Sequence, residues 1–193
     1  MRKNCKCNPF CSLLDTNIRK QLCEHAIITY QEPKQIQFYQ GNEQLEIISD
    51  GVLVTFTFLE DGSQKAIELV QEGDILGTHL LSRHIDYPNY HTMSLTQVKV
   101  CNLPFKVIKT LFDGERQFAQ VLLQYISQRH AKNSIFWMTI YSKNSEEKVK
   151  YIYELLQGNN VDMNRITQED LAMIAGVSRI SVARAMKIIY KQT

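Results

Sequence analysis

The stretch that decides how this chain is read is Thr167-Gln-Glu-Asp170-Leu-Ala-Met-Ile-Ala-Gly176-Val-Ser178-Arg-Ile-Ser-Val-Ala-Arg184-Ala-Met-Lys187. It has the pattern of two helices joined by a short turn. Thr167 with Asp170 three residues on is a capping-box signal that starts the first helix. Leu171, Ile174 and Ala175 share one face at helical spacing. Gly176 follows at the point where a left-handed residue ends a helix. Ala172, four residues earlier, is small enough for two helices to cross closely. Val177 plugs the turn, and Ser178 offers a hydroxyl cap to the second helix. That helix buries Val182, Ala185, Met186 and Ile189. Its opposite face shows Ser178, Arg179, Ile180, Ser181 and Arg184. Arginines on such a face suit the paired acceptors of guanine, so these five residues are the expected DNA contacts of a helix-turn-helix.

Composition frames this motif. The chain has 193 residues, 44% of them hydrophobic, and a net charge of +2. It is therefore no general polyanion binder. The charge is uneven: residues 1–112 hold 11 Lys and Arg against 12 Asp and Glu, and residues 113–193 hold 11 against 8. A near-neutral front and a mildly basic back fit a sensor joined to a DNA reader. No apolar run is long enough for a membrane span, and no signal-peptide core follows the first residues. The expectation is a cytoplasmic protein with reduced thiols.

Residues 27–105 alternate like strands. Val52-Leu-Val54-Thr-Phe56-Thr-Phe58 is β-branched and aromatic, and Asp61-Gly62 is a hairpin turn signal before Ala66 to Val70. Thr92 to Cys101 reads as one last long strand. Short strands with spaced glycines predict a small antiparallel jelly-roll barrel, preceded by a short helix over residues 13–26. Residues 115–141 lack Gly and Pro, a helix of roughly 40 Å. Phe118, Val121, Leu122, Tyr125 and Arg129 mark one face of it. The expectation is a dimerisation helix, with Leu122 at a coiled-coil seam. Ser142-Lys-Asn-Ser145 is the expected hinge. The fold class is α+β, divided into a sensor barrel (1–112), a dimerisation helix (113–142) and a helix-turn-helix domain (143–193).

Five cysteines are present, and three crowd the start in Cys5-Lys-Cys7-Asn-Pro-Phe-Cys11. Thiolates this close can share a metal or cluster, and they equally suit redox chemistry or no ligand at all. Cys23 lies beside an apolar stripe and reads as a packing residue. His79, His84 and His91 lack the spacing of a cupin metal triad, so no enzyme is expected.

Three stretches resemble the Crp/Fnr superfamily of transcription regulators. Gly73-Asp-Ile-Leu-Gly77 is similar to a Gly-Asp-x-x-Gly turn in that family's barrel. Asn144-Ser-Glu-Glu-Lys-Val149 is similar to the Asn-Ala-Glu-Glu-Arg-Leu of its oxygen-sensing branch. Thr167–Arg184 matches its DNA-reading motif in length and register. The resemblance implies a homodimer on double-stranded, palindromic DNA, working with RNA polymerase. The family's cyclic-nucleotide members use a Gly-Glu-Leu/Ile turn and an Arg-Ser-Ala segment. Here Thr78 and His79 follow Gly77, and Asp86-Tyr-Pro-Asn-Tyr-His-Thr92 has no Arg-Ser, so cyclic nucleotide is not the expected ligand. The oxygen-sensing branch holds an iron–sulfur cluster. Val100-Cys101-Asn-Leu-Pro-Phe105 is similar to the segment of its barrel cysteine. By that resemblance Cys5, Cys7, Cys11 and Cys101 would hold a [4Fe–4S] or [2Fe–2S] cluster. The Cys-x-Cys-x3-Cys spacing departs from the branch's Cys-x2-Cys-x5-Cys. Ile180 stands where the family often has Glu. Only nine residues follow Arg184, so the family's β-hairpin wing is expected to be missing. The competing expectation is an effector-binding barrel with little DNA affinity.

Overall fold

The computed structural model describes residues 8–39, 44–81 and 90–192. Two helices, α1 (Pro9–Ser12) and α2 (Thr16–His25), precede eight strands: β1 (Ile27–Gln31), β2 (Ile36–Tyr39), β3 (Gln44–Asp50), β4 (Leu53–Phe58), β5 (Gln64–Val70), β6 (Ile75–Leu76), β7 (Tyr90–Ser94) and β8 (Val98–Pro104). Five helices follow: α3 (Phe105–Gly114), α4 (Arg116–Tyr141), α5 (Ser145–Gly158), α6 (Gln168–Ala175) and α7 (Arg179–Gln192). The expected last long strand is in fact two. It breaks between Ser94 and Val98, where Leu95 and Thr96 turn back to the Val52 carbonyl. Alternation alone carried no sign of that turn.

The strands form two four-stranded antiparallel sheets, β1-β8-β3-β6 and β2-β7-β4-β5. Period-2 alternation gives each sheet two apolar faces. The inner faces meet through Ile48, Leu53, Val70, Leu76, Val98 and Val100. The outer face of the first sheet, with Leu45, Ile47, Cys101 and Leu103, packs with α1, α2, α3 and the first half of α4. The outer face of the second, with Val54, Phe56, Ala66 and Met93, packs with α5, α6 and α7. The middles of both sheets are therefore covered on each face, while Ile27 of β1, Ile36 and Phe38 of β2 and Phe58 of β4 stay exposed.

The long helix α4 corrects one expectation. Phe118 and Leu122 are fully buried against the chain's own barrel, in a cluster with Ile108, Leu111 and Phe10. Tyr125 packs edge-on against Phe10, and Arg129 ion-pairs with Glu68 of β5. Leu122 is thus no seam residue. The turn at Gly73 explains the close fit: its φ is +91°, and a side chain there would strike the Tyr125 hydroxyl 2.7 Å away. The opposite face of α4 leaves Leu123, Ile135, Met138 and Tyr141 between 54% and 71% exposed.

Glu46 faces inward on β3, opposite Asn102 and Leu76. Burial pushes its carboxyl up to about 7. Two measurements check these placements. Leu122→Ala should lower unfolding stability by about 2–5 kcal/mol, while Leu123→Ala changes that of the monomer by only about 0.5 kcal/mol. For Glu46, the folded state holds its proton more tightly than the unfolded chain. Its contribution is complete below about pH 4.5 and is lost as pH rises through about 7. Urea titrations should show stability falling across that window by a few kcal/mol, on the order of 3. Glu46→Gln should flatten the slope; an unchanged slope would mean another group is responsible.

Candidate nucleic-acid interface and barrel pocket

The C-terminal unit is assembled by local chemistry. Asn144 accepts from the Glu146 and Glu147 amides at 3.0 Å, and Glu147 accepts from the Asn144 amide. This capping box is the physical content of the Asn-Ser-Glu-Glu motif. Thr167 and Asp170 make the same reciprocal cap on α6. Gly176 ends α6 at φ +64°, ψ +40°, and the Val177 amide donates to the Ala172 carbonyl. Nothing lies within 4 Å of where a Cβ would stand at Gly176. The backbone angle, not crowding, favours glycine here. Ser178 then accepts from the Ser181 amide at 3.2 Å and opens α7.

Val182, Ala185 and Met186 are buried, and Ile189 packs beside them. They bind α7 to Val149, Ile152 and Leu156 of α5 and Leu171 and Ile174 of α6. The other side of α7 exposes Arg179, Ile180 and Arg184, with Ser181 half-buried. Ile180 is 67% exposed, a large apolar side chain turned to solvent. The helix pair thus brings four of the five expected contact residues onto one open face, with Ser178 at its cap.

Two contacts had no sequence signal. Lys34, in the tight turn between β1 and β2, has a left-handed backbone (φ +71°) and ion-pairs with Asp170. The cap of α6 is therefore also its tie to the barrel. Arg179 pairs with Glu169 at 2.8 Å, both groups exposed. A groove of about 560 Å³ separates the β4–β5 hairpin from the α6–α7 turn, lined by Leu59, Ser63, Lys65, Ala172, Val177 and Ser178.

A second site lies where the barrel meets α4. Arg129 donates to the Ile75 carbonyl and to Glu68, whose other oxygen accepts from Asn133. Trp137 donates to the Ile67 carbonyl at 3.0 Å. Around this staple is a pocket of about 190 Å³ with Thr78, Tyr125 and His130 on its walls. An adjoining space reaches Gly77, His79 and Tyr90 and ends on Thr55. Among the described residues the buried Thr55 hydroxyl has no hydrogen-bond partner. Burial holds His79 below the usual imidazole range.

The cysteines divide. Cys11 and Cys101 are buried in one apolar cluster with Phe10, Leu14 and Leu22. Cys5 and Cys7 lie outside the described residues. Among the described residues no three His, Cys, Asp or Glu side chains converge as metal ligands. Two thiols packed among leucine and phenylalanine are an incomplete donor set for a four-thiolate cluster. The residues described do not by themselves fit that group. Cys23 is half-buried on α2. His91 is packed among Phe38, Phe56 and Phe58, and His84 lies outside the described residues.

The sequence matches no protein-family model and no curated protein. Its fold matches many solved structures. A Eubacterium rectale protein described as a transcriptional regulator of the Crp/Fnr family aligns with TM-score 0.76 at 14% identity, covering 95% of this chain and 87% of that one. The c-di-GMP-responsive global regulator CLP of Xanthomonas campestris aligns with TM-score 0.73 at 14% identity, covering 92% and 93%. FixK2 of Bradyrhizobium japonicum aligns with TM-score 0.64 at 13% identity, covering 86% and 85%. Among the described residues no helix is long and apolar enough to cross a membrane. Sheet order, long helix and C-terminal helices together give this chain the fold of the Crp/Fnr regulators.

Proposed function

We propose that the chain is a cytoplasmic, homodimeric transcription regulator of the Crp/Fnr family, and that it binds a palindromic DNA site. The observation that carries this is α7, capped by Ser178, buried on Val182, Ala185 and Met186, and open at Arg179, Ile180 and Arg184. Such a helix, set after a tight turn, is built to lie in a major groove. The partner copy would cover the exposed stripe of α4, bringing two α7 helices to one duplex. RNA polymerase is the partner that a regulator of this type implies.

The signal enters through the barrel. The orphan Thr55 hydroxyl and the pocket at Arg129 support a small polar effector. Thr78 and His79 in place of the family's Glu argue against cyclic nucleotide. A redox signal through Cys5, Cys7, Cys11 and Cys101 requires the two cysteines outside the described residues, and the visible spectrum of protein purified without oxygen distinguishes the two inputs.

Selection from random duplexes tests the DNA reading. It should yield a two-fold symmetric site with one strong G:C position in each half, read by Arg184 and worth roughly 1–3 kcal/mol. Ile180 has no acceptor and can only pack on a thymine methyl, so its position should favour A:T. Arg184→Ala should lose the specific site and keep non-specific binding. No shift of any duplex at low salt would leave the barrel as a binding protein without DNA affinity.

Sedimentation tests the seam. Leu123→Glu should fold and run as a monomer, because it places a charge in the interface without touching the barrel core. A variant that remains dimeric would move the interface off α4.

A further inference from the structure

The pair between Arg179 and Glu169 has a consequence for which bases are read. Arg179 is the first residue of α7, where a recognition helix presents side chains to base edges, and Glu169 stands in the first turn of α6, which crosses the phosphate backbone. One guanidinium nitrogen of Arg179 sits 2.8 Å from a Glu169 carboxylate oxygen. The neighbouring carboxylate, Asp170, is engaged separately by Lys34, Thr167 and its own cap.

We propose that Glu169 is a specificity determinant that withholds Arg179 from base reading; this rests on the DNA-binding reading above. Guanine is read by two parallel N–H groups of one guanidinium edge. Glu169 takes one of the donors and draws the group toward the backbone side. In water an exposed pair of this kind is weak. Against DNA it strengthens. Releasing Arg179 would leave a bare carboxylate facing phosphate anions, and the approach of DNA removes the water that screens the pair. Of the two arginines on the reading face, Arg184 therefore specifies a base and Arg179 neutralises Glu169.

The experiment is duplex selection with wild type, Glu169→Gln, Arg179→Ala and the double variant. Glu169 is exposed and takes no part in the Thr167–Asp170 cap, so Glu169→Gln leaves the fold intact. Glu169→Gln should gain a second G:C position in each half-site, toward the end of the site read by the start of α7. Discrimination there should be about tenfold or more. The double variant should lack it, and Arg179→Ala alone should change no base preference. A general rise in affinity for all duplexes, with no new base preference, would reduce Glu169 to a local charge and overturn the proposal. A wild-type site that already has two G:C positions, one of them lost in Arg179→Ala, would overturn it as well. Wild type that binds no duplex at all would remove the DNA-binding reading itself.

Discussion

The outer face of the β2-β7-β4-β5 sheet is the surface on which this molecule is built. Val54, Phe56, Ala66 and Met93 are each no more than 6% exposed, and what covers them is the C-terminal helical unit. Burying one such large side chain is worth roughly 1.5–3 kcal/mol. That surface seats α6, on which α5 and α7 pack in turn. Packing on α5 and α6 determines which side of α7 faces out. With Val182, Ala185 and Met186 turned inward, Arg184 and Ile180 have only solvent, or a partner, to face. Lys34 reinforces the same junction from the β1–β2 turn by holding the cap of α6.

The long helix α4 serves both halves. Its first turns belong to the barrel through Phe118 and Leu122, and its end reaches the helical unit through Phe136, Trp137 and Ile140. Between them, Arg129 and Asn133 grip Glu68 of β5. This staple lies between the barrel and the end of α4 at Ser142. Glu68 is the shared partner, so any group that competes for Arg129 or for Glu68 disturbs both the sheet and the helix.

Much of this could be read from local sequence. The cap at Thr167 and the left-handed Gly176 depend on residues no more than a few positions apart, and each appeared where the pattern put it; the Asn144 cap is equally local and emerged only in the structure. The two-helix motif and the strand-rich front half followed from periodicity. Periodicity gives the residues that share a face, and it is silent on what that face meets. Phe118, Leu122 and Tyr125 do share a face, yet they pack on their own barrel, and the exposed stripe begins one residue over at Leu123. Contacts between distant elements were beyond reach for the same reason. Nothing near Lys34 announces Asp170, 136 positions away, and nothing in Arg179 announces Glu169. The cysteines show the limit from the other side. Close spacing left a shared metal or cluster, redox chemistry or no ligand open; Cys11 and Cys101 are buried in one apolar cluster, and Cys5 and Cys7 lie outside the described residues.

The central claim is that the floor provided by the barrel sheet presents α7 as a DNA-reading surface. Amide hydrogen exchange of the whole chain, with and without a selected duplex, tests this most directly. Slowed exchange should concentrate at the start of α6 and over residues 178–184, while amides of α5 change little. Protection spread over the barrel with α7 untouched would contradict the account.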